Sequence, residues 1–342
     1  MDRGTPCRHR AFLHFLTGIC LVAAALLLSA CFGGRRDLGS GEAEELSDHR
    51  PCVVTTIFPY YDFVRQVAGD RVKLKLVVPA GMDSHSFEPT PADVISMQEA
   101  DLIVANGGEM EQWVAKVMES LDTSSMEVLY MMDHVEAVEE ELVEGMEEKP
   151  HRHGEEDGHE MHIEYDEHIW TSPANAQAIV KIISQSLIRL LPEEEEYLEA
   201  NAQEYIAKLK DLDAQFHQVA EHGKVHMIVV ADKFPFRYFA DQYGLSYRAA
   251  FSGCSGDTEP SAGTIAYLID KIKEEQIPAV YYLELSSHRT AEIICEETGA
   301  RPLLLHSCHN VTRKQFDEGI TYLQLMEQNV ENLRIGLGSG QE

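Results

Sequence analysis

From residue 192 to 222 the chain contains no glycine and no proline after Pro192. Apolar residues recur there every three or four positions: Leu198, Ala202, Tyr205, Leu209, Leu212, Phe216 and Val219. That period predicts one uninterrupted helix with a single apolar stripe, roughly 45 Å long at 1.5 Å per residue. One stripe with a charged remainder suits a helix lying along the outside of two lobes. A coiled-coil partner helix would bury such a stripe equally well, but the chain offers no second long helix.

Strand and helix patterns alternate on both sides of it. Before it, β-branched and apolar runs at 52–58, 72–78, 101–106 and 127–132 read as strands, with helical periods over 59–68, 91–100, 109–121 and 174–191. After it, strands are predicted at 225–231, 245–251, 278–285 and 301–305, and helices over 236–243, 260–274, 288–298 and 312–333. The fold class is therefore α/β. Two lobes, 51–191 and 223–337, each hold a mostly parallel sheet flanked by helices, and one backbone helix, 192–222, joins them. Ligands of such sheets bind outside the carboxyl ends of the strands, which directs attention to the cleft.

The first residues read as an address. Arg3, Arg8 and Arg10 precede the apolar run 11–30, and Leu28-Ser29-Ala30-Cys31 closes it. Small residues before a cysteine match a bacterial lipoprotein signal over 1–30, with Cys31 carrying the lipid and 31–50 serving as a flexible tether. An uncleaved membrane anchor of about twenty apolar residues is the alternative. Both place the remainder outside the cytoplasmic membrane. A formal charge of -30 argues against a nucleic-acid partner and suits a protein that handles cations.

Much of that charge is local. Between 136 and 167 fourteen Asp or Glu face two basic residues, Lys149 and Arg152, and His151, His153, His159 and His162 are interleaved with them. Imidazoles among carboxylates attract a divalent cation without imposing one geometry. The stretch has no apolar period to offset the entropy of ordering, so 133–167 is expected to be a metal-capturing loop. A merely solvated acidic loop is the plainer reading. His168, which runs into Ile-Trp-Thr-Ser-Pro, is where that loop should meet a fixed site.

Other candidate ligands stand near strand ends. His85 follows the second strand, within PAGMDSHSFEPTP. His306 directly follows Leu303-Leu304-Leu305, Asp232 ends VHMIVVA, and Glu284 ends the VYYLE run. Two histidines from one lobe, with a histidine and a carboxylate from the other, would close a tetrahedral metal site across the cleft. Each histidine taken alone reads as a hydrogen-bonded structural residue; the shared placement is what favours ligation.

The elements GMDSHSFEPTPADV, EHIWTSPANA, the long helix, and FRYFADQYGL resemble the zinc/manganese substrate-binding lipoproteins of bacterial ABC transporters, the cluster A-I metal receptors. The resemblance covers about residues 52–337, and its acidic histidine-rich loop is similar to that of the zinc-selective members. It implies a Zn(II) ligand, Mn(II) less so, held between two lobes on a rigid helix and passed to a membrane permease. It also implies that His85 and His168 are ligands and that His306 stands where the family has a late aspartate. The family's third ligand position falls on Lys233, which has no lone pair to offer when protonated. Asp232 beside it, with Glu284 as substitute, is the expected replacement.

Seven cysteines are present. Cys7 and Cys20 leave with the signal, and none of Cys52, Cys254, Cys295 and Cys308 has CxxC spacing. Cys254 and Cys308 both lie in second-lobe strand-end loops, and a disulfide between them would brace the loop carrying His306; two free buried thiols are the alternative. Three rival functions remain. A zinc hydrolase lacks HExxH, because His159-Glu160-Met161-His162 has the wrong spacing, and it lacks a nucleophile elbow. A manganese receptor would share the fold, and a surface adhesin or metal buffer would use the loop alone. The expectation is a receptor and not an enzyme.

Overall fold

Four short apolar runs build the first sheet: β1 (Cys52–Thr55), β2 (Lys73–Leu76), β3 (Leu102–Ala105) and β4 (Glu127–Tyr130). Their order is β2-β1-β3-β4 and every pair is parallel. Helices α1 (Phe58–Ala68), α2 (Pro91–Gln98) and α3 (Gln112–Met118) connect them. Each residue of β3 is buried, as a strand covered by helices on both faces must be. The computed structural model describes residues 49–146, 164–253, 255 and 259–340, apart from the side chain of His85. The apolar run 11–30, Cys31 and the tether lie outside those residues. No helix among the described residues is long and apolar enough to cross a membrane.

Helix α4 (Pro173–Leu190) leads into α5 (Glu195–Glu221), the long helix, which a short 3₁₀ turn, Pro192–Glu194, precedes. All seven stripe residues are buried on α5. The second sheet follows: β5 (Met227–Phe234), α6 (Arg237–Tyr243), β6 (Ser246–Ser252), α7 (Ala262–Glu275), β7 (Ala279–Tyr282), α8 (Arg289–Thr298) and β8 (Arg301–Leu304). Its order, β6-β5-β7-β8, repeats that of the first sheet, again all parallel. Arg50–Glu342 forms one compact unit. The reason is that one apolar cluster runs from Val53, Leu102 and Val104 of the first sheet, through the α5 stripe, to Ile228, Val230 and Tyr281 of the second. Two smaller clusters, around Met97 and Val114 and around Leu268 and Ile294, cover the outer faces.

Two predicted elements are divided. The helix expected over 312–333 is α9 (Arg313–Asp317) and α10 (Tyr322–Gly336), parted at Gly319, whose φ is 75°. Thr312 with Gln315 and Thr321 with Gln324 each form a capping box, so two start signals stand where one helix was expected. The predicted loop 133–167 is also shorter than expected. Glu139 and Tyr165 form an antiparallel bridge, flanked by Glu140 N–H to Glu164 O (2.9 Å) and Asp166 N–H to Val138 O (2.9 Å). The paired stems are held because Val135, Val138, Val143 and Met146 pack on the main core.

Asp62 ties the helices together. Its buried carboxylate accepts from Arg65 Nη2 (2.6 Å), Gln66 Nε2 (3.0 Å) and the Tyr322 amide (2.7 Å) that begins α10. Tyr205 of α5 donates to it at 3.4 Å. Removing a buried acceptor strands each donor. Asp62→Ala is expected to lower the unfolding free energy by about 3 kcal/mol, read from the denaturant midpoint.

Candidate metal centre

His168 is fixed from below by residues immediately before it. The Asp166 carboxylate accepts the His168 amide (2.8 Å) and Nδ1–H (3.2 Å), which leaves the ring's lone pair on Nε2. Burial disfavours the imidazolium, but the Asp166 and Glu167 carboxylates outweigh it and raise the pKa. Glu167 is itself anchored. Its carboxylate accepts from the amides of Glu109 and of Met110 (2.8 Å), where the chain enters α3, and its carbonyl accepts from Asn106 Nδ2 (3.0 Å). Tyr60 donates to Asn106 Oδ1, and the Tyr238 hydroxyl of the second lobe donates to the Asp166 carbonyl (2.8 Å). The end of the acidic loop is thus clamped from both lobes.

The loop after β8 meets it from the other side. The Asn329 side chain on α10 accepts the His306 amide and donates to the His306 carbonyl, both at 2.8 Å. His306 Nδ1 then accepts the Cys308 amide at 2.9 Å, so the neutral ring carries its hydrogen on Nε2. That Nε2 is buried without a partner, and burial lowers the ring's pKa. In this tautomer neither nitrogen presents a lone pair to a cation. His306, expected to be a ligand, is buried and is not among the residues that line the cavity described below.

His309, three residues on, is half-buried and lies on the cavity side of the loop. Its Nε2 lies 2.5 Å from Ser84 Oγ, in the 3₁₀ turn Ser84–Ser86 that also carries His85. Its ring stands 6.1 Å from that of His168, nearly perpendicular, with Trp170 packed against both. Asn310 Nδ2 donates to the carbonyls of Pro79 (2.9 Å) and Met82 (2.6 Å), and Trp170 Nε1 donates to the Ser307 carbonyl (2.8 Å). These bonds sew the two lobes together around the rings.

Between the loops lies a cavity of about 110 Å³ lined by Asp83, His168, Lys233, Glu284 and His309. That is too small for an ordinary organic ligand and large enough for an ion. Glu284 lines it as expected, while its two oxygens accept the Ser307 amide (2.8 Å) and hydroxyl (2.5 Å). Asp232 does not reach it. Where the β5 register shifts between Val230 and Lys233, Lys233 lines this cavity and Asp232 lines another, beside Tyr282 and His288. Burial raises the Asp232 carboxyl pKa there. Among the described residues no group of three His, Cys, Asp or Glu lies close enough to hold a metal. The third imidazole of the predicted set, His85, has its backbone in the Ser84–Ser86 turn and its side chain outside the described atoms. Gly253 permits the close approach of the β6 loop: a Cβ there would stand 3.1 Å from His168 Cε1 and 2.9 Å from the Phe234 carbonyl.

The zinc-uptake complex component A (ZnuA, periplasmic) family model matches residues 53–336. The chain belongs to the ZnuA family. It is 33% identical over 321 residues to the high-affinity zinc uptake system protein ZnuA of Bacillus subtilis, covering 94% of this chain and 97% of that protein. It is 33% identical over 312 residues to the zinc-binding lipoprotein AdcA of Streptococcus pneumoniae, covering 91% of this chain but 58% of AdcA. The fold is similar to the crystal structure of the metal-dependent lipoprotein YcdH of B. subtilis, at TM-score 0.70 and 30% identity over 84% of this chain and 99% of that one. It is also similar to the Zn(II)-bound ZnuA-like domain of S. pneumoniae AdcA, at TM-score 0.68 and 30% identity over 84% of this chain and 99% of that one.

For this ZnuA-family chain, His309 lines the cavity although the sequence singled out His306, because His306 directly follows the leucine run and His309 lies further into the loop beyond the strand end. Of the expected Cys254–Cys308 pair, only Cys308 is described: it is a free thiol buried in the main core, at positive φ (60°). Its side chain turns inward under the loop, and Cys254 lies outside the described residues. Cys52 and Cys295 are also free. His151, His153, His159 and His162 lie outside the described residues too.

Glu111 supports the same corner. It accepts the amides of Asn106 (2.7 Å) and Gly107 (3.0 Å) through one oxygen. Burial pushes its carboxyl from 4.5 up to about 7. The folded chain therefore keeps a proton that the unfolded chain releases. That contribution is full below the unfolded pKa and lost as pH rises through the folded one. Glu111→Gln should gain stability relative to wild type, on the order of 2 kcal/mol, between about pH 4.5 and about pH 7.5, as melting curves across that range would record.

Proposed function

We propose that the chain is an extracytoplasmic receptor that captures Zn(II) between its lobes and delivers it to the permease of an ABC transporter. The observation that carries this reading is the pair His168 and His309, brought from opposite lobes to one ion-sized cavity beside the turn that bears His85. His85, His168 and His309 are the proposed protein ligands, with Glu284 as a nearby carboxylate. An imidazole-rich set favours zinc over manganese, which binds better among more oxygens. Asp166 fixes the ligating tautomer of His168. The reading involves no catalysis: the ion is cargo.

The anchor and the loop complete the picture. Lipidation of Cys31 would hold the receptor at the membrane surface, within diffusion reach of the permease. His151, His153, His159 and His162 would raise the local concentration of cation at the rim, passing it to His168 at the loop's clamped end. A metal buffer acting through the loop alone would need no ordered His168–His309 pair, and the built cavity favours the receptor.

Zinc titration against a competing chelator tests the assignment. His168→Ala and His309→Ala should each weaken binding by on the order of a hundredfold. Asp232→Asn should leave it unchanged, and deletion of residues 147–163 should slow capture while keeping the tight site. Persistence of tight binding in both histidine variants, or its loss on deleting the loop, would overturn the proposal.

A further inference from the structure

The incoming stem of the acidic loop, residues 135–146, lies against the second lobe. Tyr247 Oη donates to the Glu141 carboxylate (3.2 Å), and Arg237 Nη2 stands 3.6 Å from the same oxygen. Gly145 comes so close to Tyr267 that a Cβ there would overlap its ring. Tyr238, buried in the first turn of α6, joins this stem to the outgoing one. Its hydroxyl accepts the Val138 N–H (3.1 Å) and donates its own hydrogen to the Asp166 carbonyl (2.8 Å). The Asp166 N–H donates to the Val138 carbonyl (2.9 Å), so Val138, Tyr238 and Asp166 close a cycle of three hydrogen bonds. Burial pushes the Tyr238 phenol up to about 12, so the hydroxyl keeps the hydrogen that the cycle needs. From this cycle the Asp166 carboxylate reaches out to the His168 amide (2.8 Å) and Nδ1 (3.2 Å). A phenol of the second lobe thus fixes the residue that fixes an imidazole of the first.

We infer that Tyr238 is a positioning residue for the ion site: through Asp166 it sets the angle of His168, and it couples zinc affinity to the docking of the acidic stem on the second lobe. The inference rests on the receptor reading above. A metal ligand has to be held within about 0.5 Å and 10–20° of its working geometry. Without the hydroxyl, Val138 N–H and the Asp166 carbonyl each lose a buried partner, and the two stems are held only by their main-chain bridge. Coupling of this kind is reciprocal. An ion on His168 draws Asp166 onto Tyr238 and the stem onto the second lobe, so the loaded receptor presents a firmer stem than the empty one. Leu142 and Glu141, both exposed on that stem, carry the difference to the surface.

Zinc affinity of the mature protein, measured by chelator competition, would be compared for wild type, Tyr238→Phe, Asp166→Ala and the double variant. Tyr238→Phe should weaken binding about tenfold, and Asp166→Ala on the order of ten- to a hundredfold. In the Asp166→Ala background Tyr238→Phe should have no further effect, because the path to His168 is already cut. The visible d–d bands of the Co(II)-loaded protein should shift in Tyr238→Phe. Amide exchange at Val138 and Glu140 should slow when zinc binds the wild type and stay unchanged when it binds Tyr238→Phe. Tyr205→Phe, which removes another buried hydroxyl, bonded to Asp62 at 3.4 Å, should lower the melting temperature without moving zinc affinity. Unchanged affinity in Tyr238→Phe, additive losses in the double variant, or an equal loss in Tyr205→Phe would overturn the inference while leaving the receptor standing. Failure of the wild type to bind zinc would overturn both.

Discussion

The distance between the two lobes is set by one apolar stripe. Leu198, Tyr205, Leu209 and Phe216 lie in the same cluster as the inner faces of both sheets, so neither lobe can swing away without exposing α5 to water. At roughly 25 cal/mol per Å² of buried apolar surface, opening even a modest part of that contact costs several kcal/mol. The loops at the strand carboxyl ends therefore face one another at nearly fixed spacing. Trp170, reaching from the first lobe to the Ser307 carbonyl, and Asn310, reaching back to the Pro79 and Met82 carbonyls, add directed bonds to that non-directional hold. A receptor built this way recognises its ion through preset geometry, with little reorganisation on binding.

Histidine chemistry in the cleft is decided by the second nitrogen of each ring. At His168 a carboxylate accepts from Nδ1, and the other nitrogen is left with a lone pair. At His306 a backbone amide donates to Nδ1, and the other nitrogen is left with a hydrogen. Both rings are buried and both stand near a carboxylate, yet their Nδ1 atoms are bonded in opposite senses. Composition does not distinguish them. Lys233 adds a charge of the same sign as the cargo, so the electrostatics of this cleft differ from those of an all-histidine site.

The architecture was legible because period and punctuation are local properties. All eight strands, the long helix and its seven buried stripe residues follow from apolar spacing and from glycine and proline positions, and the parallel arrangement follows from the alternation of strand and helix. The split between α9 and α10 was present too, in the Thr-x-x-Gln pairs at 312 and 321, but the apolar period ran through it and masked the second start signal. The ordered stems of the acidic loop were not visible, because Glu139 and Tyr165 pair across a separation that no window of periodicity spans.

What the sequence by itself determined was the kind of protein: two α/β lobes on one helix, a family membership carried by short motifs, and the histidine at the end of the acidic loop. Tertiary structure alone decided which side chains share the cavity. His309 enters it and His306 does not, because Asn329 clamps the backbone of one and releases the chain before the other. Lys233 enters it and Asp232 does not, because the β5 register shifts between Val230 and Lys233, and a bulge re-aims side chains in a way no sequence period shows. Spacing along a chain names the residue types near a site; the direction of each side chain is fixed only when the backbone around it is bonded on every side.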